Sequence, residues 1–359
     1  MAKAAIITDT HFGVRNDSKQ FIEYFEKFYS NIFFPYLKEN NIDVVFHLGD
    51  IVERRKFINY ATLHEFKRIF IQPCIDNNIR LLGIVGNHDI HYRNTNEVNA
   101  MNELFNHSSI KFYSEPEEIN FDGCKIALLP WINNSNYEKS MEFVRTTDAS
   151  IVFGHLEFSG FEMYRGISNL HGMETKPFDR FEFVFSGHYH TRSSKKNIHY
   201  LGNPYETTWN DYNDSRGFHI FDSDTRSLNF IQNPYKMFHK IWYDDSDKDT
   251  YKKIIESYNF STYEGAYIKV IVQKKTNPYW FDMMLDALYK SNPANVSIVE
   301  DNKNADMLTE EEIINEADDT LTLITKYVDS ISVDVDKNNL KKLLADLYVE
   351  AQNMNQETL

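Results

Sequence analysis

Eight residues of types that bind metal ions or move protons sit in short polar turns behind apolar runs: Asp9 and His11, Asp50, Asn87 and His88, His155, and His188 and His190. The densest turn, Gly86-Asn87-His88-Asp89, follows Leu81-Leu82-Gly83-Ile84-Val85. Its asparagine offers a neutral oxygen, its histidine a nitrogen ligand or an acid, and its aspartate a carboxylate. That set suits a hard or borderline metal ion. Alone, the tetrapeptide also suits an ordinary polar turn, and Asp-x-His, Gly-Asp or His-x-His is common singly. Five such turns, each behind an apolar strand, point to one shared site. Two divalent ions about 3.5–4 Å apart, bridged by a carboxylate, can activate a water and clamp both oxygens of an in-line displacement at phosphorus. Mixed His, Asp and Asn ligation suits manganese, iron or zinc better than magnesium.

The elements that must position these residues read as strands alternating with helices. Strands are expected at Lys3 to Thr8, Asp43 to Leu48 and Ile79 to Val85, each ending at a ligand-rich turn. Between them, Asp17 or Ser18 caps a helix whose Phe21, Phe25, Phe28, Ile32 and Tyr36 share one face, with a kink expected at Pro35. A second helix covers Tyr60 to Asn77. That order is the grammar of parallel crossovers, and open α/β sheets place their sites at strand carboxyl ends. Further on come a helix around Val98 to Phe105 and a hairpin pairing Ile119-Asn120-Phe121 with Lys125 to Leu129 across Asp122-Gly123. Strands at Ala149 to Phe153 and Phe181 to Phe185 lead to His155 and to His188 and His190, and Ile198 to Leu201 and Gly217 to Phe221 join a second sheet.

The fold class expected is α/β: a two-layer β-sandwich core flanked by helices over residues 1–235, with a small α/β domain over 236–300. In the latter the pattern gives strand Phe238 to Tyr243, helix Thr250 to Tyr258, strand Ala266 to Val272, helix Trp280 to Tyr289 and strand Val296 to Val299. Residues 301–359 read as a polar linker and two amphipathic helices, one opened by the capping box Thr309-x-x-Glu312 and one carrying Leu340, Leu343, Leu344, Leu347 and Tyr348. Such a pair buries its own stripes poorly, so it packs either on the parent domain or on a partner.

Composition narrows the class. The 359 residues are 42% hydrophobic and 15% aromatic, enough for a large core and two or three domains. Cys74 and Cys124 stand alone, which argues against a disulfide framework and for a reducing compartment. No stretch approaches the roughly 18 apolar residues of a membrane span. Met1-Ala2-Lys3 runs straight into the first strand, so no signal peptide and a cytoplasmic location are expected. A net charge of −15 argues against a nucleic-acid coat protein. It leaves a nuclease open, because divalent cations and a few local Arg and Lys residues offset phosphate charge where it matters.

Taken together, Asp9-x-His11, Gly49-Asp50, Gly86-Asn87-His88-Asp89, Gly154-His155 and Gly187-His188-x-His190 resemble the five motifs of the calcineurin-like metallophosphoesterase superfamily. Within it the chain most resembles SbcD-like nuclease subunits of DNA-repair complexes, and phage recombination-endonuclease subunits in size and layout. The resemblance is strong over residues 1–235, moderate over the small domain and present only in outline in the tail. It implies that Asp9, His11 and His190 hold one metal ion and Asn87, His155 and His188 another, with Asp50 bridging. It also implies that His88 stabilises the transition state and protonates the leaving oxygen, and that Asp89 orients His88. The function implied is a DNA exo/endonuclease subunit with two divalent ions, Mn²⁺ first among them. Leu201-Gly202-Asn203-Pro204 and Arg216-Gly217-Phe218 resemble the family's closing strands, which lead into a cap domain facing DNA. The partners implied are DNA, a second copy through the Tyr60 to Asn77 and Val98 to Phe105 helices, and a coiled-coil SMC-like (SbcC-like) ATPase held by the C-terminal helices.

Alternatives stay open at several positions. Arg54, Arg55, Lys56 and Arg93 are placed to meet a phosphate backbone, or are ordinary solvated charges. Glu53 stands where family members carry a histidine or an acid, and pairs equally well with Arg54 or Arg55. His171 is a spare ligand candidate, His47 a core histidine, and His91 lies near the site without a role. The five motifs fix metals rather than substrate, which leaves a phosphomonoesterase or small-molecule phosphodiesterase as a rival. A non-catalytic scaffold for the ATPase is a second rival.

Overall fold

The computed structural model describes residues 2–105, 107–164, 167–169, 172–246, 252, 255–256, 258–300, 324–325, 327–329 and 336–354. Met1–Tyr205 and Asn213–Tyr235 form one compact unit. Its strands are β1 (Lys3–Ile7), β2 (Val44–His47), β3 (Arg80–Ile84), β4 (Ile110–Tyr113), β5 (Glu117–Phe121), β6 (Cys124–Leu129) and β7 (Ile151–His155). After them come β8 (Glu162–Tyr164), β9 (Ile167–Ser168), β10 (Phe183–Gly187), β11 (Ser193–Lys195), β12 (Ile198–Tyr200), β13 (Gly217–Asp222) and β14 (Ser227–Gln232). Two six-stranded sheets result, ordered β14-β13-β1-β2-β3-β4 and β11-β12-β10-β7-β6-β5.

In the first sheet β1, β2, β3 and β4 run parallel, and in the second β6, β7, β10 and β12 do. The strands buried on both faces read as continuous apolar runs, as parallel strands should. Ala4, Ile6, Val44, Phe46 and Leu48 of the first sheet pack on Ile126, Leu128, Ile151, Phe153 and Phe185 of the second. Each such large side chain contributes about 1.5–3 kcal/mol on burial. This face-to-face packing brings the carboxyl ends of β1, β2 and β3 to those of β7 and β10. The turns are then laced together by backbone: Asp9 N–H donates to Gly49 O (3.0 Å), His11 N–H to Asp50 O (3.1 Å) and Phe12 N–H to Ile51 O (2.9 Å).

Most expected elements are present, with informative shifts. β7 and β10 each extend two residues past the expected end, so His155 and Gly187 are themselves the last strand residues. Asp122 and Gly123 both adopt left-handed φ (48° and 83°), the conformation a two-residue hairpin turn requires. The two long helices are each interrupted by a π-helical turn, at Tyr29–Phe33 and Lys67–Ile71, two residues ahead of Pro35 and Pro73. A proline ring would clash with the carbonyl four residues back in an unbroken α-helix, so the wider turn comes just before it. The expected helix at Val98 shrinks to Ala100–Leu104, because the Asn99 side chain accepts from Asn102 N–H and sets the start there. β4, β11 and β14 were not signalled by apolar pattern. All three lie at sheet edges, where one side needs no apolar partner.

The second unit comprises Glu206–Tyr212 and the chain from Lys236 onward. β15 (Phe238–Asp244), β16 (Tyr267–Lys274) and β17 (Asn295–Glu300) form a three-stranded parallel sheet. The helix Pro278–Tyr289 lays Phe281, Met284 and Leu288, at helical spacing, on Ile241, Tyr243, Ile268, Val270 and Val272. Glu206 accepts from the amides of Met237 (2.7 Å) and Phe238 (2.9 Å), which ties its short segment to the start of β15. The expected Thr250 to Tyr258 helix lies largely outside the described residues, as does the Thr309 capping box. The last helix, Lys337–Met354, leaves Leu343 and Leu347 exposed. Among the described residues no helix is long and apolar enough to cross a membrane.

The turn after β3 touches the turn after β2 so closely that Gly86 cannot carry a side chain. A Cβ there would fall on the amide and carboxylate of Asp50. Gly86→Ala is therefore expected to cost about 1–3 kcal/mol. Urea unfolding checks this, and an unchanged midpoint would show that the two turns are not in contact.

Candidate metal centre

Five turns deliver their side chains to one place. His11 Nε2 and His190 Nε2 lie 3.0 Å apart, each 4.0 Å from Asp9 Oδ1. Asn87 Oδ1 lies 3.0 Å from both His155 Nε2 and His188 Nδ1. Asp50 Oδ2 stands between these sets, 3.3 Å from His155 Nε2 and 3.8 Å from His11 Nε2. All seven ligand candidates named from sequence are thus brought together, in two clusters joined by one carboxylate. Imidazole nitrogens that converge on each other and on a carboxylate suit a shared cation better than a hydrogen bond, and the donor set fits two divalent ions.

The backbone is bent to achieve this. Asp9, His11, Asp50 and His188 all take positive φ (52°, 44°, 53° and 88°), a region costly for residues with a Cβ. The strain is held by local bonds. Thr8 Oγ1 donates to Asp9 Oδ2 (2.6 Å) and Leu48 O (3.2 Å), and His188 N–H donates to Asp9 Oδ1 (3.0 Å). Gly187 has no room for a Cβ, which would meet Thr8 Oγ1 and Leu48 O.

Outer contacts set the rings. His155 Nδ1 donates to Leu48 O (2.7 Å), leaving Nε2 for the centre. His11 Nδ1 is 2.8 Å from Glu53 Oε2, so Glu53 pairs with a candidate ligand histidine rather than with its neighbours Arg54 or Arg55. His88 donates its amide to Asp50 Oδ1 (2.8 Å), turns Nδ1 to the Glu53 carbonyl (2.6 Å) and stands edge-on to His11 at 4.9 Å. That bond leaves Nε2 as the other ring nitrogen.

Several expectations are corrected here. Asp89 does not orient the His88 ring: Oδ1 accepts from the amides of Ile51 (2.9 Å) and Val52 (3.2 Å), and Oδ2 from Gly86 (2.9 Å). It clamps two turns by their backbone, while the Glu53 carbonyl orients His88. Arg54 is bound to Asp17 (2.6 Å) and Asn16 (3.2 Å). Arg55 is half-buried; burial disfavours its charge, nearby Arg93 adds to that, and Asp50 opposes it. Lys56 and Arg93 are exposed. His47 meets Thr10 Oγ1 through Nε2 (3.0 Å), but its buried Nδ1 finds no hydrogen-bond partner among the described residues. His91 bonds Val98 through its backbone and packs on Tyr92, while His171 lies outside the described residues.

Sequence reasoning missed Thr8, Trp131 and the role of Arg216. The buried Arg216 guanidinium donates to the His190 carbonyl and Asn203 Oδ1 and pairs with Asp214 at 3.0 Å, fixing the loop that carries His190. An arginine directly before an apolar run was the available signal.

Electrostatics follow from three carboxylates sharing a buried space. Burial opposes charge on His11, but the bonded Glu53 and nearby Asp50 and Asp9 override it and raise its pKa to about 9. Burial likewise opposes charge on His155, and Asp50 and Asp9 raise it to about 9. His188 goes the other way, pushed to about 3 by burial and then by the charge of His155. Without metal, protons on His11 and His155 stand where cation charge belongs. An ion in either donor set must displace the proton on that set's histidine below pH about 9, so affinity should rise with pH up to that point. Histidines of ordinary pKa would stop responding by about pH 7.5. Calorimetric Mn²⁺ titrations between these pH values check this, and a plateau beginning near neutrality would contradict it.

A family model described as calcineurin-like phosphoesterase matches residues 2–192. The chain is 34% identical over 320 residues to "Exonuclease subunit 1" of Enterobacteria phage T4, covering 88% of this chain and 90% of that protein. Two solved structures are more remote: an archaeal phosphodiesterase (12% identity, TM-score 0.32, 64% of this chain and 99% of that one) and YfkN of Bacillus subtilis (11%, 0.32, 64% and 88%). At that TM-score they carry no argument. With the matched segment spanning all five site turns, the chain belongs to the calcineurin-like phosphoesterase family, hydrolases that use divalent metals.

Proposed function

We propose that the chain is the nuclease subunit of a recombination or repair complex and hydrolyses DNA phosphodiester bonds with two divalent ions, Mn²⁺ first among them. The observation that carries the reading is the position of Asp50 Oδ2 between the His11 and His155 donor sets. The similarity to a phage protein named as an exonuclease subunit supports the substrate and the membership of a complex. Bound there, two divalent ions supply a water of lowered pKa and neutralise charge developing on the phosphoryl oxygens.

The remaining work falls to side chains. His88 Nε2 gives a proton to the leaving oxygen, its ring held by the Glu53 carbonyl and its amide by Asp50. Asp89 keeps the turn bearing Asn87 and His88 at a fixed distance from Asp50. Arg55 and Arg93 receive the adjoining phosphate, since Arg54 is engaged with Asp17. Residues 1–235 act as the nuclease domain and 236–300 as a cap facing DNA. The exposed Leu343 and Leu347 of the last helix dock on a coiled-coil ATPase, and a second copy completes a homodimer.

Purified chain with Mn²⁺ should degrade linear duplex DNA in preference to p-nitrophenyl phosphate. Asp50→Asn should abolish cleavage. His88→Ala should lower it by about 10²–10⁴-fold, the range of general acid catalysis, with metal stoichiometry unchanged. Undiminished cleavage by the Asp50 variant, or full activity in EDTA, would sink the proposal.

A further inference from the structure

The histidines of the centre are not all held in the same way. His11 has Glu53 at its second nitrogen and His155 has Leu48 O. His188 spends Nδ1 on Asn87, and no hydrogen-bond partner among the described residues meets its Nε2. Its ring instead lies against Trp131, with centroids 5.0 Å apart at 45°. Trp131 also packs edge-on to His155 at 6.0 Å. Asp9 holds the His188 amide, but the ring beyond Nδ1 meets aromatic faces, Trp131 and the adjacent Tyr189, each with centroids 5.0 Å away.

The Trp131 face is itself built in. Trp131 is 6% exposed and packs with Val85 and Ile90, the residues that bracket Gly86-Asn87-His88-Asp89. Its backbone N–H donates to Val85 O (2.8 Å). Its carbonyl accepts from the side-chain amides of Asn96 (2.9 Å) and Asn136 (3.0 Å). Asn96 is held in turn by Asn133, which donates to its Oδ1 (2.8 Å). Buried amides are costly unless bonded, so satisfied amides gripping one carbonyl fix the place of that residue. The indole thus touches the segment bearing Asn87 and both rings that share Asn87 Oδ1.

We infer that Trp131 is a positioning residue for the Asn87–His155–His188 half of the metal centre, acting by packing in place of an outer hydrogen bond to His188. The His11–His190 half is independent of it, because the aromatic neighbours of His11 are His88 and His190. The inference rests on the two-ion reading above. Outer residues that orient ligands are worth about 10–100-fold in metal affinity, and here that loss should fall on one ion only.

The test is Mn²⁺ titration of the full chain by calorimetry, with wild type, Trp131→Ala and Trp131→Phe. Wild type should bind two ions. Trp131→Ala should weaken one by about 10–100-fold and leave the other unchanged, while Trp131→Phe, which keeps an aromatic face, should restore both. In wild type, paramagnetic Mn²⁺ should also quench a tryptophan emission component that Trp131→Phe lacks. That arm needs no alanine variant to fold. Equal weakening of both ions, no weakening of either, a phenylalanine variant as impaired as alanine, or quenching identical in Trp131→Phe would overturn the inference while leaving two ions in place. Fewer than two ions in wild type would overturn the two-ion reading itself, and this inference with it.

Discussion

The geometry of the centre depends on where Asp50 holds its two carboxylate oxygens. One accepts the amide of His88, and the other lies between the Nε2 atoms of His155 and His11. A single side chain therefore sets the reach of the His88 ring relative to both ligand clusters. A buried carboxylate is tolerable only when paired or hydrogen-bonded. Here burial opposes its charge, yet the flanking His155 and His88 hold its pKa well below the ordinary carboxylate range. The same electrostatic balance raises His11 and His155, so the site favours positive charge, which a bound cation would supply in place of those protons.

Holding Asp50 there demands unusual closeness between turns from both sheets. The core between the sheets fixes their separation, and two glycines let the turns touch. Gly86 abuts Asp50, and Gly187 abuts Thr8 and Leu48. Four ligand candidates sit in left-handed backbone, a conformation that survives only where surrounding bonds over-determine it. Asp89 shows how that is done. Buried at the turn, it ties three amides of two different loops, and its pKa is raised to about 6 by burial and then by Asp50. Its service to His88 is indirect, through the backbone.

The candidate ligand histidines illustrate three ways to orient an imidazole. His11 leans on a carboxylate, His155 on a main-chain carbonyl and His188 on an indole. A carboxylate adds charge and raises the ring pKa, a carbonyl adds a directed hydrogen bond, and an indole adds a packing face without charge or hydrogen bond. His188 is accordingly neutral by a wide margin, pushed to about 3.

Residue type and spacing alone determined which polar residues end the strands, the strand-turn pattern that carries them and the two-layer α/β architecture. Apolar runs of five or six residues ending in Asp, Asn and His leave little freedom in where those side chains can go. Sequence could not show what each polar group would touch. Glu53 lies beside Arg54 in the chain but reaches His11, and Asp89 lies beside His88 but bonds to Ile51, Val52 and Gly86. Trp131 is 57 residues from His188 and yet packs on it. Short-range pattern records which face of an element is apolar, whereas partners of buried polar and aromatic groups are set by how two sheets pack. Only the tertiary structure decided those partners, because a buried group pairs with whatever packing places within reach.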